Sequence, residues 1–325
     1  MPVRIAVVAA GDGKEPLEIL LRQQETQGLH VVDDSDDADV VHLVGWSPSR
    51  GRVVHHRPTV LSPPRLEGVL SAERQRQLLE ADAVVVHTSQ QRDVAHALGV
   101  PWYRLFVVPE TVDVEVFRRK GDAARRTERC RIVLEATGPG DGVASALAAL
   151  ATWEVAEAVV LSSSRLPTLR RDARKLGLGR RFVAVTPKDD EERAWWIRSA
   201  HAVVAVPEKP TSSRLALEAM GCGVPVVATS VDLLEDVVVH GVTGLHVPPG
   251  DPKSLVHAVR SIVTDPFRLE AFGMAASDRA GTRYAPLRVG RDLLAVYRRV
   301  LAGRPGQEPD VIADDAAELP DAVAG

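Results

Sequence analysis

The sequence predicts an α/β protein built from two Rossmann-like, doubly wound parallel-sheet domains. Three observations carry that expectation. The chain has 325 residues, enough for two cores of ordinary size. Short apolar runs without polar alternation recur along it, as strands buried on both faces require. Longer segments with helical periodicity separate those runs, which is the βαβ alternation of a parallel sheet.

The strand candidates, in order, are Arg4–Ala9, Ala38–Val44, Pro58–Leu61, Ala81–Val86 and Leu105–Val108, followed by Arg131–Leu134, Ala156–Leu161, Phe182–Val185, His201–Val206, Pro225–Ala228 and Leu245–Val247. Helices are expected at Pro64–Glu80, Gln90–Leu98, Leu166–Leu176 and Glu191–Ser199. Asp251–Thr264 has a capping Asp251, Pro252 in the first turn, and Leu255, Val259 and Ile262 on one face. A last helix, Pro286–Leu301, gathers Leu293, Leu294, Val296, Tyr297 and Val300 on one side.

The charge-rich stretch after Pro109 has no sustained periodicity and reads as the break. The expected organisation is a short N-terminal Rossmann-like domain over 1–112, a linker over 113–128 and a C-terminal Rossmann-like domain over 129–284. A helix over 285–303, crossing back to the N-domain, and an acidic disordered tail over 304–325 follow.

Composition narrows the function classes. Apolar residues at 45% and charged residues at 26% are those of a soluble globular chain. The net charge of −4 argues against nucleic acid as a partner. Cys130 and Cys222 have neither disulfide-framework nor metal-ligand spacing. Met1 leads directly into a strand, without a signal peptide, and no apolar run is long enough to span a bilayer. The expected setting is the cytoplasm.

The informative block runs from Thr211 to Asp251. Thr211, Ser212 and Ser213 open a helix that Gly221–Gly223 ends, and Pro225–Ala228 follows as a buried strand. A hydroxyl-rich helix N-terminus offers free N–H groups and a positive dipole end to a diphosphate. Glu218, in the same helix, is a carboxylate able to accept both hydroxyls of a ribose. Taken singly, each feature also has an ordinary structural reading as a cap or a solvated charge.

As one string the block resembles the C-terminal donor domain of GT-B glycosyltransferases, above all their large retaining family four. That pattern reads Glu-Ala-Met-Ala-x-Gly-x-Pro-Val-Val-Ala-Thr, then x-Gly-x-Thr-Gly-x-x-Val-Pro-Pro-Gly-Asp. Glu218, Gly223, Pro225, Gly241, Gly244, Pro249 and Asp251 fall on it. Ala81–Ser89 resembles the family's Ala-Asp-x-Val-x-x-x-Ser segment, and Val107-Val108-Pro109 with Val112-Asp113 and Phe117 resembles its interdomain segment.

The resemblance implies two Rossmann-like domains facing a cleft, with a nucleoside-diphosphate sugar on the C-domain and an acceptor, unidentified, on the N-domain. It implies retaining, metal-independent hexosyl transfer that needs no cofactor. Glu218 would bind the ribose, Thr211, Ser212, Ser213 and Arg214 would approach the diphosphate, and Thr186 and Lys188 would lie near the base. Gly11 and Gly13 would let the N-domain backbone approach the phosphates. His42, at a strand end, is the candidate catalytic histidine, with a satisfied structural histidine as the competing reading.

Departures concentrate where the chemistry belongs. Pro210 stands where the family has its other signature glutamate, and Ala136 and Asp141 stand near its diphosphate-binding Arg and Lys. Ser62-Pro63-Pro64 replaces its Thr-x-His, and Glu110-Thr111 its interdomain Asn-Gly. Three readings therefore stand: a sugar-transferring enzyme, a catalytically inactive GT-B-like paralogue serving as a protein partner or ligand-binding subunit, and another GT-B-shaped enzyme such as a nucleotide-sugar epimerase.

Overall fold

The computed structural model describes residues 2–9, 17, 20–21, 28–33, 35–46, 57–64, 66, 69–162, 166–208 and 212–303. The turn bearing Gly11 and Gly13, Thr211 and the expected tail 304–325 lie outside the described residues. The chain divides into two compact units. The first groups the residues up to Val86, Gln91–Val107 and those from Leu293 onward, and the second groups His87–Gln90 with Val108–Asp292.

In the first unit six strands form one sheet: β1 (Val3–Ala9), β2 (Leu29–Val32), β3 (Val40–Val44), β4 (Thr59–Ser62), β5 (Ala83–Val86) and β6 (Leu105–Val107). Their order is β2-β1-β3-β4-β5-β6, every pair parallel. Two helices, α1 (Ala72–Glu80) and α2 (Ser89–Ala97), follow β4 and β5. The helix expected from Pro64 starts later, at Ala72, because the Ser71 side chain accepts the Arg74 N–H and fixes the start there. Val41, Leu43, Leu61, Leu78, Val84 and Leu105 form one side of the core.

The second unit's sheet holds β7 (Cys130–Glu135), β8 (Ala156–Leu161), β9 (Phe182–Val185), β10 (Ala202–Ala205), β11 (Val226–Thr229) and β12 (Gly244–Val247). Its order is β12-β11-β10-β7-β8-β9, again all parallel. Around it lie α3 (Val143–Ala151), α4 (Leu166–Lys175), α5 (Asp190–Arg198), α6 (Arg214–Gly221), α7 (Asp232–Val237), α8 (Pro252–Val263) and α9 (Pro266–Arg283), and α10 (Pro286–Leu301) ends the described chain.

Alternate residues of each strand feed opposite cores, as a strand period of two dictates. Val133, Val159, Val203 and Val226 pack with α5, α6 and α9, while Ile132, Val160, Val204 and Val227 pack with α3, α4 and α8. Asp251 caps α8 by accepting the N–H groups of Lys253 and Ser254, each at 3.0 Å.

The segment 113–128, read from sequence as a linker, packs against the second unit. Val112 and Phe117 are buried in its core, and the Val112 N–H donates to the Tyr284 carbonyl at 3.0 Å. Arg198 donates to the carbonyls of Asp122 at 2.7 Å and Val116 at 3.1 Å. Among the described residues no helix is long and apolar enough to cross a membrane.

Candidate functional site

In an open parallel sheet the ligand crevice forms outside the strand carboxyl ends where the strand order reverses. In the second unit that point lies between β7 and β10. The chain leaves β7 towards β8 and β9, then returns to place β10 on the other side of β7. A cavity of about 320 Å³ occupies this point. It is lined by Glu135 and the Thr137–Asp141 turn after β7, by Val204–Pro207 at the end of β10, and by Ser212, Arg214, Leu215, Ala216 and Leu234.

Glycine makes the β7 turn possible. Gly142 has φ +72°, and a Cβ on it would overlap the Val206 carbonyl. Asp141 accepts the N–H groups of Gly138 at 3.1 Å and Val143 at 3.0 Å, so this turn fills its amides with its own carboxylate.

The block singled out in the sequence forms the cavity's other wall. Ser212 and Arg214 line it. Ser213, buried at the start of α6, makes no side-chain cap of its own helix. Its N–H donates to Glu110 Oε2 at 2.8 Å and its hydroxyl to the same oxygen at 2.5 Å, with the Ser212 hydroxyl at 3.4 Å.

Glu218 lies one turn further along α6 and is 2% exposed. Both of its oxygens are engaged: Oε2 accepts from Arg193 Nε at 2.6 Å and Oε1 from Arg214 Nε at 2.6 Å. Arg193 also reaches Glu135 at 2.7 Å, and Arg214 reaches Asp190 at 2.7 Å. The result is a chain of alternating charge, Glu135–Arg193–Glu218–Arg214–Asp190, behind the cavity wall. Burial raises the Glu218 carboxyl above its ordinary value, against the opposing pull of Arg193 and Arg214. Arg193 is 8% exposed, and its Nη2 has no hydrogen-bond partner among the described residues. Arg214 is much freer, with 56% of its side chain exposed.

The structure does not bring every expected residue to this cavity. The Thr186 hydroxyl donates to the Ser162 carbonyl at 2.6 Å, so it secures the end of β9. Lys188 points instead into a separate surface groove with Trp195 and Arg198, its amine 3.8 Å from Asp189.

In the first unit His42 is 1% exposed. Its Nδ1 meets the Tyr297 hydroxyl at 2.6 Å and its Nε2 the Ser62 hydroxyl at 2.7 Å. Burial pushes the Tyr297 phenol well up, so it stays protonated beside the ring. An enclosed histidine with both ring nitrogens engaged fits the structural reading of His42 that competes with the catalytic one.

Sequence reading missed two participants. Arg193 is one cation in an acidic helix start, Asp189-Asp190-Glu191-Glu192-Arg193, and only the fold carries it to Glu218. Glu110 was visible as a departure from pattern, yet nothing local signalled a bond to Ser213, 103 residues away.

Comparison with known proteins agrees with this geometry. The family described as Glycosyl transferases group 1 matches residues 137–265, a segment that holds all the cavity-lining residues named above except Glu135. D-inositol 3-phosphate glycosyltransferase 1 of Catenulispora acidiphila is 31% identical over 250 residues, covering 70% of this chain and 59% of that protein. The D-inositol 3-phosphate glycosyltransferase of Xylanimonas cellulosilytica is 31% identical over 271 residues, covering 75% and 63%. The chain thus spans about three fifths of the length of these two relatives.

Among solved structures, sucrose-phosphate synthase from Thermosynechococcus elongatus superposes with a TM-score of 0.77 at 17% identity, over 94% of this chain and 100% of that one. Anabaena HepE in complex with UDP and glucose gives 0.69 at 15% identity, over 92% and 100%. At such identities the likeness is one of fold.

Proposed function

We propose that the chain is a divergent relative of the GT-B glycosyltransferases and that it transfers a hexose from a nucleoside-diphosphate sugar to an acceptor, a reading supported by its fold and its group 1 segment. The carrying observation is the cavity at the β7–β10 switch point, walled by the N-terminus of α6 with Ser212 and Arg214, and backed by Glu218. Retention and independence of a divalent metal belong to the same reading. The free cysteines Cys130 and Cys222 support a reducing, cytoplasmic setting.

In the bound state of this reading, the diphosphate takes the N–H and hydroxyl donors of Ser212 and Ser213. The exposed end of Arg214 swings from Glu218 to the phosphate oxygens, where negative charge grows as the sugar departs. Glu218 Oε1 is thereby released to accept a ribose hydroxyl, while buried Arg193 keeps hold of Oε2. Arg214 then does the work of the diphosphate cations missing near Ala136 and Asp141.

Calorimetry of the purified chain with UDP, GDP, ADP and their hexose conjugates tests the reading. One base is expected to bind, and Glu218→Gln and Arg214→Gln each to weaken it about tenfold, or about 1.4 kcal/mol. Thermal melting of both variants separates lost binding from lost fold. Binding by no member of the panel would sink the proposal.

One observation favours a second reading, a non-catalytic subunit that binds a ligand or partner: both guanidiniums beside the cavity are already neutralised by carboxylates. Release of labelled sugar onto any acceptor by the purified chain alone rules it out.

A further inference from the structure

The α6 N-terminus, where the proposed donor phosphates would sit, already holds an anion supplied by the chain itself. Glu110 Oε2 accepts from the Ser213 N–H and the Ser213 hydroxyl and lies within reach of the Ser212 hydroxyl. Those are the free donors that a helix start offers to a phosphate oxygen. Ser213 spends its hydroxyl on Glu110 and makes no cap of its own helix. The opposite wall repeats the arrangement, since Asp141 fills the Gly138 and Val143 amides. Of the described residues lining the cavity, Glu135 and Asp141 carry negative charge and Arg214 carries positive charge.

We propose that Glu110 is a built-in competitor for the donor phosphate, its carboxylate occupying the amide-and-hydroxyl hole at the start of α6 until an incoming anion displaces it. Two anions cannot share one set of donors, because each would repel the other at hydrogen-bonding range. Donor affinity is therefore set by the difference between phosphate and carboxylate at Ser212 and Ser213. Any influence that draws Glu110 away, such as a neighbouring cation, raises that affinity without touching the donor. The proposal deepens the reading of the cavity as a donor site and rests on it for its biological meaning, although its physical core is a plain anion exchange.

Inorganic pyrophosphate is therefore the first probe, with UDP, GDP and ADP as the second, titrated calorimetrically into the full chain at fixed ionic strength. Glu110→Gln is expected to bind pyrophosphate at least about tenfold more tightly than the wild type. Adding Ser213→Ala is expected to cancel the gain. Should Glu110→Gln fail to fold, Glu110→Asp keeps the charge, withdraws it by one methylene and carries the same expectation. Equal or weaker pyrophosphate binding by the folded variant overturns the role given to Glu110, even where a nucleotide binds the wild type. A gain for pyrophosphate with no nucleotide bound by either protein upholds Glu110 and overturns the donor reading instead.

Discussion

At His201 one proton couples the backbone of β7 to the pH of the solution. Its Nδ1 accepts the Arg131 N–H at 3.0 Å, a role open only to the ring with that nitrogen unprotonated. Burial lowers the His201 pKa, and the nearby Arg126 lowers it further. The sign follows from linkage. An unfolded histidine takes its proton near pH 6.5 or so, whereas the folded one resists until the pH is lower. Below about pH 6.5 the unfolded state therefore binds more protons, and stability falls as the pH drops towards the folded value. Above that window the contribution is fully present. The urea midpoint of the wild type is thus expected to decline on acidification from about pH 7 to about pH 5.5 more steeply than that of His201→Asn, whose amide oxygen still accepts the bond without titrating. Parallel slopes for the two proteins would show that His201 is not the coupled group.

At the scale of elements, legibility followed burial. Strands such as β8 and β9 were readable because every residue faces a core or nearly so, and an apolar run is then the whole signal. β2 was not, because Leu29-His30-Val31-Val32 is short, interrupted by a histidine and lies at the sheet edge, where one buried leucine suffices. α9 was missed for a different reason. Its inward face is made of Phe272 with Gly273, Ala276 and Ala280, and the three small residues let it lie close to α6 and leave one large side chain as the hydrophobic signal. The Thr211–Asp251 block announced α6 and the cavity wall through capping and glycine chemistry, but the ion pairs behind the wall depend on contacts across sequence gaps that no local pattern encodes. The β7 turn offers an element-scale test of the cavity. Gly142→Ala puts an L-residue at φ +72° and drives its Cβ into the Val206 carbonyl, so both the turn and the end of β10 must shift. The expected loss is about 2 kcal/mol or more, seen as a lower urea midpoint with an unchanged slope. A variant as stable as the wild type would mean that the turn relaxes freely and that the cavity shape is not held there.

At the scale of the whole molecule, the two units differ in how the chain assembles them. The first draws on both ends of the sequence, since β1–β6 precede residue 108 while Tyr297 and its neighbours arrive from the last helix. The second is nearly continuous: β7–β12 form one sheet with one another, and both faces of that sheet are covered by helices from within 143–283. Residues 108–292 expressed alone are therefore expected to fold cooperatively. The starting point matters. A fragment begun at 129, where the sequence places the domain, lacks Val112 and Phe117, which are 4% and 3% exposed in the core beside α6 and α9. It also strands the Arg198 guanidinium, whose partners are the Val116 and Asp122 carbonyls, and the Tyr284 carbonyl that receives the Val112 N–H. Removing a buried phenylalanine side chain from a core costs about 3–5 kcal/mol, and losing the valine and these bonds adds to it. That loss is comparable to the whole stability of an ordinary domain, about 5–15 kcal/mol. Circular dichroism and urea titration of the two fragments should accordingly give a sharp, two-state transition for 108–292 and a broad or absent one for 129–292. Equal stability of the two would place the segment 113–128 outside the folding unit and return it to the role of a linker.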